Sequence, residues 1–385
     1  MEKLQIRAKR QSNFELLRII SMILIIAHHY AVHGGFELSK QTFSAQLFFV
    51  QILSYGGKLG VNLFVLISGY FLVTSRCKLK KAVNLWLKVT LFSGCITLFF
   101  YITGIYSISN KDLFQSFFPI IYNSYWFATA YFMIYILSNY INKMIYAVDR
   151  KELLQLIFIL TVFISVLPTF LKATIPVSNI FWFFLIYIIA AYIRLYNPAI
   201  LNKKYCLALG IAVYGLCLLS CFLFDILGTH WPVFSKYTTY FSGINMTTTL
   251  VTSVLLFAGF KNLSMNFSSV INTVAASTFG VYLIHDNRYM RWFLWGKLFR
   301  NADFYNSAFL VLHAFAVIAF TFVACTFGDL IYRKLIEQNI WKFVAWIKDN
   351  KSKKIPAFFK VMRQTEDPSA LVQRANSQST YPRRR

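Results

Sequence analysis

An arginine and a histidine stand eleven residues apart in one apolar run, which opens Asn13-Phe14-Glu15-Leu16-Leu17-Arg18 and closes His28-His29-Tyr30. On a helix, eleven residues is close to three turns. Arg18 and His29 then share a face and lie about 16 Å apart along the axis. Glu15 sits one turn before Arg18 and is placed to pair with it. His28 points about 100° away. A guanidinium near a membrane surface suits phosphate recognition. An imidazole deep in a helical bundle suits general-base work on a hydroxyl. The competing reading is that His29 only hydrogen-bonds a neighbouring helix.

Three other stretches carry polar groups in apolar surroundings. Lys58-Leu59-Gly60-Val61-Asn62 leads to Ser68-Gly69-Tyr70. Asn62 and Ser68 are polar there, although Ser and Gly also serve plain helix packing. Tyr125-Trp126-Phe127 opens another apolar run and reads as an aromatic belt or a stacking surface. Ser277 to Asp286 reads Ser-Thr-Phe-Gly-Val-Tyr-Leu-Ile-His-Asp. Counted from Ser268, His285 lies about 25 Å along its helix, with Tyr282 one turn below on the same face. His285 and His29 are thus expected near one depth, in one cavity. Asp225, Asp329 and His313 are further ionisable groups in or beside apolar segments, with no specific role assigned. The six cysteines lack CxxC spacing and read as small packing residues; no metal site is expected.

These residues require helices long enough to hold them in a membrane. The 385 residues are 57% hydrophobic, 18% aromatic and only 14% charged. That excludes a soluble domain and a disordered chain. The net charge of +25 would suggest a nucleic-acid partner in a soluble protein; here it reads as topology. About ten apolar stretches are candidate spans: 14–33, 59–75, 83–105, 123–142, 153–171, 178–196, 205–226, 244–260, 268–285 and 306–332. The fold class is all-α, a polytopic membrane protein. The stretch 43–55 is short, ends in Ser54-Tyr55-Gly56-Gly57, and is expected to be re-entrant or interfacial. With the N-terminus inside, 28 bases fall on inner segments and nine on outer ones, so both termini are expected in the cytoplasm. Arg288, Arg291, Lys297 and Arg300 break that rule. They are read either as functional or as an interfacial helix among lipid headgroups. No cleavable signal peptide, internal repeat or second folded domain is expected. The domains are a basic N-terminus (1–13), the transmembrane part (14–335), a basic amphipathic surface segment (336–365) and a disordered tail (366–385).

The chain resembles the membrane acyltransferase family 3. Arg18 and His29 match its Arg-x10-His pattern. Gly60-Val61-Asn62-Leu63-Phe64-Val65-Leu66-Ile67-Ser68-Gly69-Tyr70 is similar to its second-helix element. Tyr125-Trp126-Phe127 resembles its Trp-Phe element, and Ser277 to His285 its late "SxFGxYLIH" element. The resemblance covers roughly 12–335. Asn62 departs from the acidic residue common at its position, and Val65 from a second Phe. The resemblance implies an integral membrane O-acyltransferase, moving an acetyl group from cytoplasmic acyl-CoA to a hydroxyl of a cell-surface polysaccharide or lipid-linked sugar. It implies acetyl-CoA as donor substrate, no permanently bound cofactor, and the plasma membrane as location. It makes His29 the essential histidine, acting as base or acyl acceptor. Arg18 is its motif partner, and Lys58 the basic residue ahead of the Ser-Gly element; both are assigned to the donor. His285, Tyr282 and Ser68 are assigned to orienting the acceptor or stabilising an oxyanion, Asn62 to support, and Trp126 to stacking on sugar. The rival readings are a transporter of a sugar precursor or small acid, which the missing repeat disfavours, and a structural partner of a polysaccharide synthesis complex. No nucleic-acid partner is expected, and the oligomeric state is left open.

Overall fold

The computed structural model describes residues 10–38, 41–173 and 177–340, and those residues form helices joined by short turns, with no strand among them. The first nine residues, Lys40, and the surface segment and tail expected after residue 340 lie outside the described residues.

Helix α1 (Ser12–His33) packs along α2 (Ala45–Leu72). Next come α3 (Leu79–Thr103), the short α4 (Asn110–Ser116) and α5 (Trp126–Ala147). Then α6 (Arg150–Thr161) continues through a π-helical turn, Val162–Val166, into α7 (Leu167–Leu171). Pro168 lies just past that turn, where its missing N–H disturbs the helical ladder. The second half holds α8 (Asn179–Tyr196), α9 (Tyr205–His230), α10 (Thr247–Lys261), α11 (Ser269–Ala275), α12 (Thr278–His285), α13 (Arg288–Trp292) and α14 (Leu310–Tyr332).

Local chemistry sets the ends. Ser44 caps α2 through Leu47 N at 3.1 Å, and Asp149 with Glu152 forms a capping box on α6. Gly104, at φ +63°, ends α3 in the left-handed conformation that glycine adopts most readily.

Among the described residues, eight helical segments are long and apolar enough to cross a membrane. The other two expected spans are α5, 22 residues long but carrying Ser138, Asn139, Asn142 and Lys143, and the shorter Ser269–His285. Phe158, Phe170, Leu216, Leu312 and Phe327 stand more than half exposed on the outer faces of the bundle. Such a surface is stable against lipid and would be an aggregation hazard in water. At the centre, α8 buries Trp182, Phe183, Leu185, Ile186, Tyr187 and Ile188 against α2 and α5.

One expectation is overturned here. Residues 43–55 are not a separate re-entrant segment, because α2 runs unbroken through Ser54-Tyr55-Gly56-Gly57. The glycines are there for contact rather than for a turn. A Cβ at Gly56 would meet Leu24, one at Gly57 would meet His28, and one at Gly60 would fall on the Ser21 carbonyl oxygen. The three positions form a seam that lets α1 lie directly on α2. Conversely, the stretch 268–285 is not one rod. It breaks at Ala276-Ser277 between α11 and α12.

The ionisable residues left without a role acquire packing partners. Asp225 accepts from Gln51 Nε2 at 3.2 Å. Asp329 is wholly buried and ion-paired with Lys88 of α3. His313 accepts from the Tyr30 hydroxyl at 2.9 Å through Nδ1 and donates to the Phe299 carbonyl at 3.0 Å through Nε2. All six cysteines are free thiols, and four are buried.

Candidate active site

The site lies where the last turns of α1 meet the end of α12. His29 Nδ1 is 2.9 Å from His285 Nε2. His285 Nδ1 is 2.6 Å from the Val281 carbonyl oxygen. That carbonyl can only accept, so His285 carries its proton on Nδ1. In the neutral ring, His285 Nε2 is then an acceptor, and His29 must donate to it from Nδ1. The proton on His29 is thereby fixed on the nitrogen facing His285, and Nε2 keeps its lone pair. His29 is thus a base oriented by a second group, in the sense that base catalysis requires.

A charge cluster surrounds this pair. Asp286 Oδ1 lies 3.6 Å from His29 Nδ1 and 3.3 Å from Arg291 Nε. Arg291 also donates to the Asp286 carbonyl at 3.2 Å and to His33 Nε2 at 3.3 Å. His33 follows His29 by one helical turn, with ring centroids 5.2 Å apart. Tyr282 is buried between Tyr125 and Phe127, with its hydroxyl beside the Asp286 carboxylate. Tyr125 donates to the Leu283 carbonyl at 3.0 Å and accepts from Asn287 at 2.9 Å, which pins the turn that carries Asp286. Asn287 also caps α13 and so aims Arg291 inward.

His29, His33 and Asp286 offer ligand atoms within 4.8 Å of one another, close enough for a metal ion. The Arg291 guanidinium already lies against two of the three. A cation there would meet that charge, and the cluster is balanced by the arginine instead.

The other sequence candidates divide between the two ends of the bundle. Lys58 lies with the histidines, its Nζ 5.0 Å over the Trp126 ring. It does not stand beside Arg18. Ser68 is ten residues further along α2, about 15 Å by helix rise, and does not join the histidine cluster. Asn62 is fully buried and uses both ends of its carboxamide for packing: it accepts from Trp182 Nε1 at 2.9 Å and donates to the Ile244 carbonyl at 3.0 Å. His28 turns away to the Ser54 carbonyl at 2.6 Å. At the opposite end, Arg18 NH1 lies 3.7 Å from Glu15, as their spacing suggested, and its buried Nε makes no hydrogen bond.

Sequence reasoning assigned no role to His33, Asp286 or Arg291. His33 had a signal, its four-residue spacing from His29. Arg291 had another, as one of the bases on the wrong side of the topology count. In that basic cluster, Arg288 pairs with Asp112 at 3.8 Å, Lys297 sits over Tyr106, and Arg300 pairs with Asp303.

The helical bundle thus buries a hydrogen-bonded histidine pair beside an acid and an arginine. Residues 11–332 match the family model described as an acyltransferase domain, and the chain belongs to acyltransferase family 3. It is a membrane acyltransferase. No curated protein and no solved structure matches it detectably.

Proposed function

We propose that the protein is an O-acetyltransferase of the plasma membrane, moving an acetyl group from cytoplasmic acetyl-CoA to a hydroxyl of a cell-surface polysaccharide or lipid-linked sugar. The observation that carries this reading is the hydrogen-bond sense from Val281 through His285 to His29, which leaves His29 Nε2 unprotonated.

His29 Nε2 takes the proton from the acceptor hydroxyl. The oxygen attacks the thioester carbonyl carbon, and the developing imidazolium is balanced by Asp286. As the tetrahedral intermediate collapses, the carbon–sulfur bond breaks, and the leaving thiolate takes the proton from His29. His285 serves as the orienter, since its Nε2 is occupied by His29. Lys58 is reassigned from the donor phosphates to the oxyanion, because it stands at the histidine end. Trp126, beside it, offers a ring face to the sugar. Arg18, at the end where α1 begins, stays with the donor.

The test uses membranes supplied with acetyl-labelled acetyl-CoA and the cell's own glycans. His29→Ala is expected to reduce label transfer at least a hundredfold, the lower range for a lost general base, with unchanged protein level. Full transfer by the variant overturns the role of His29. A transporter would instead move its substrate without incorporating label.

A further inference from the structure

A cavity of about 600 Å³ opens where α2, α8 and α10 end, at the same end of the bundle as the start of α1. Its lining includes Arg194, Lys204 and Lys261 with three asparagines, and no acidic side chain. Lys261 Nζ donates to Asn197 Oδ1 at 2.7 Å and to Asn202 Oδ1 at 3.3 Å. Arg194 NH1 donates to the Tyr70 hydroxyl at 3.2 Å, and its guanidinium lies 4.8 Å over the Tyr70 ring. Arg194 and Lys261 are thus held in place by neutral partners.

The plainer account is that bases at helix C-termini offset the helix dipoles. Arg194 and Lys261 do stand in the last turns of α8 and α10. Each terminus carries only about half a negative charge. Three cations against three such ends, that of α2 included, leave about one and a half units of positive charge in an open, polar cavity. That excess calls for an anion, and its size and fixed amide donors suit a phosphate.

Packed rings and α2 itself tie the cavity to the histidine end. The Tyr70 and Phe14 rings are 5.2 Å apart, one helical turn below Arg18. Along α2, Tyr70 lies thirteen residues from Gly57, which abuts His28. That is about 20 Å by helix rise, comparable with the reach of an extended pantetheine arm.

We propose that Arg194, Lys204 and Lys261 bind the nucleotide phosphates of the acyl-CoA donor, with Arg18 next along the path. This rests on the acetyl-CoA reading above. The same chemistry would also hold the headgroup of an anionic phospholipid, and the experiment separates the two.

The full-length protein in nanodiscs of phosphatidylcholine alone is titrated with CoA and with dephospho-CoA, which lacks the 3′-phosphate. Wild type is expected to favour CoA. The triple variant Arg194→Gln/Lys204→Gln/Lys261→Gln is expected to weaken CoA binding by about tenfold or more, the scale of one lost charge-assisted hydrogen bond, and to lose the preference. The ratio of the two affinities is the readout, because misfolding would weaken both ligands alike. Equal ratios in wild type and variant overturn the pocket assignment while leaving the acyltransfer reading intact. Unchanged CoA binding with a lost response to added phosphatidylglycerol assigns the cavity to lipid and likewise overturns it. No CoA binding by wild type overturns both.

Discussion

At the scale of single residues, the base role proposed for His29 rests on the direction of two hydrogen bonds. Removing the acceptor should therefore matter more than removing bulk. In His285→Phe, the His29 Nδ1 proton keeps only Asp286, at 3.6 Å, and the fixed tautomer is lost. The turnover rate is expected to fall on the order of a hundredfold, with the KM for the acyl donor unchanged. His285→Gln offers a carboxamide oxygen to the same proton and is expected to recover part of the rate. Equal loss in both variants would show that His285 only fills space. Arg18, His29 and His285 were legible in the sequence because each lies in a periodic apolar helix where a polar residue stands out. Asp286 and Arg291 were not. They lie past the helix end, where the chain folds back, and no periodicity encodes which way that turn points.

At the scale of helices, the buried Lys88–Asp329 pair braces the element that carries His285. Asp329 of α14 lies against Gly280 of α12, where any Cβ would collide with its carboxylate. The glycine of the Ser-x-Phe-Gly stretch is thus explained by a neighbour 49 residues away in sequence. Lys88→Met strands a buried carboxylate and is expected to cost about 3–5 kcal/mol. Lys88→Met/Asp329→Leu removes both charges and is expected to regain most of that loss. Thermal unfolding of the two variants in detergent measures the difference, and a single variant as stable as wild type would show the pair to be inert. The helices themselves were legible from their apolar runs, but their breaks were not. Gly56-Gly57 has the look of a turn and is a packing surface, whereas Ala276-Ser277 lies within an apolar run and is the actual break. A glycine pair alone does not say whether the chain bends or a partner helix comes close.

At the scale of the whole molecule, two polar sites sit near opposite ends of one apolar bundle, and only orientation decides which compartment each one meets. The excess of bases on the segments at the α1 start is the ground for proposing that this end, with the Arg194 cavity, faces the cytoplasm. A protease-cleavable tag on the C-terminus is expected to be cut in inverted vesicles and protected in right-side-out ones. The reverse result would put the cavity outside and remove its access to CoA. Class and family were legible because composition alone demands a membrane and four short motifs fall in order. The cavity was not, since its residues come from three helices and the loop after α8, in segments about 60 to 190 positions apart. The α1–α2 seam turns these two distant sites into a gauge. Gly60 lies on the Ser21 backbone oxygen, so neither helix can slide past the other without moving main chain. The span from the basic cavity to His29 is accordingly constant, and in the acyl-CoA reading proposed above it matches the arm of the donor. In that reading, preference among acyl groups is set separately, by the room left around His29.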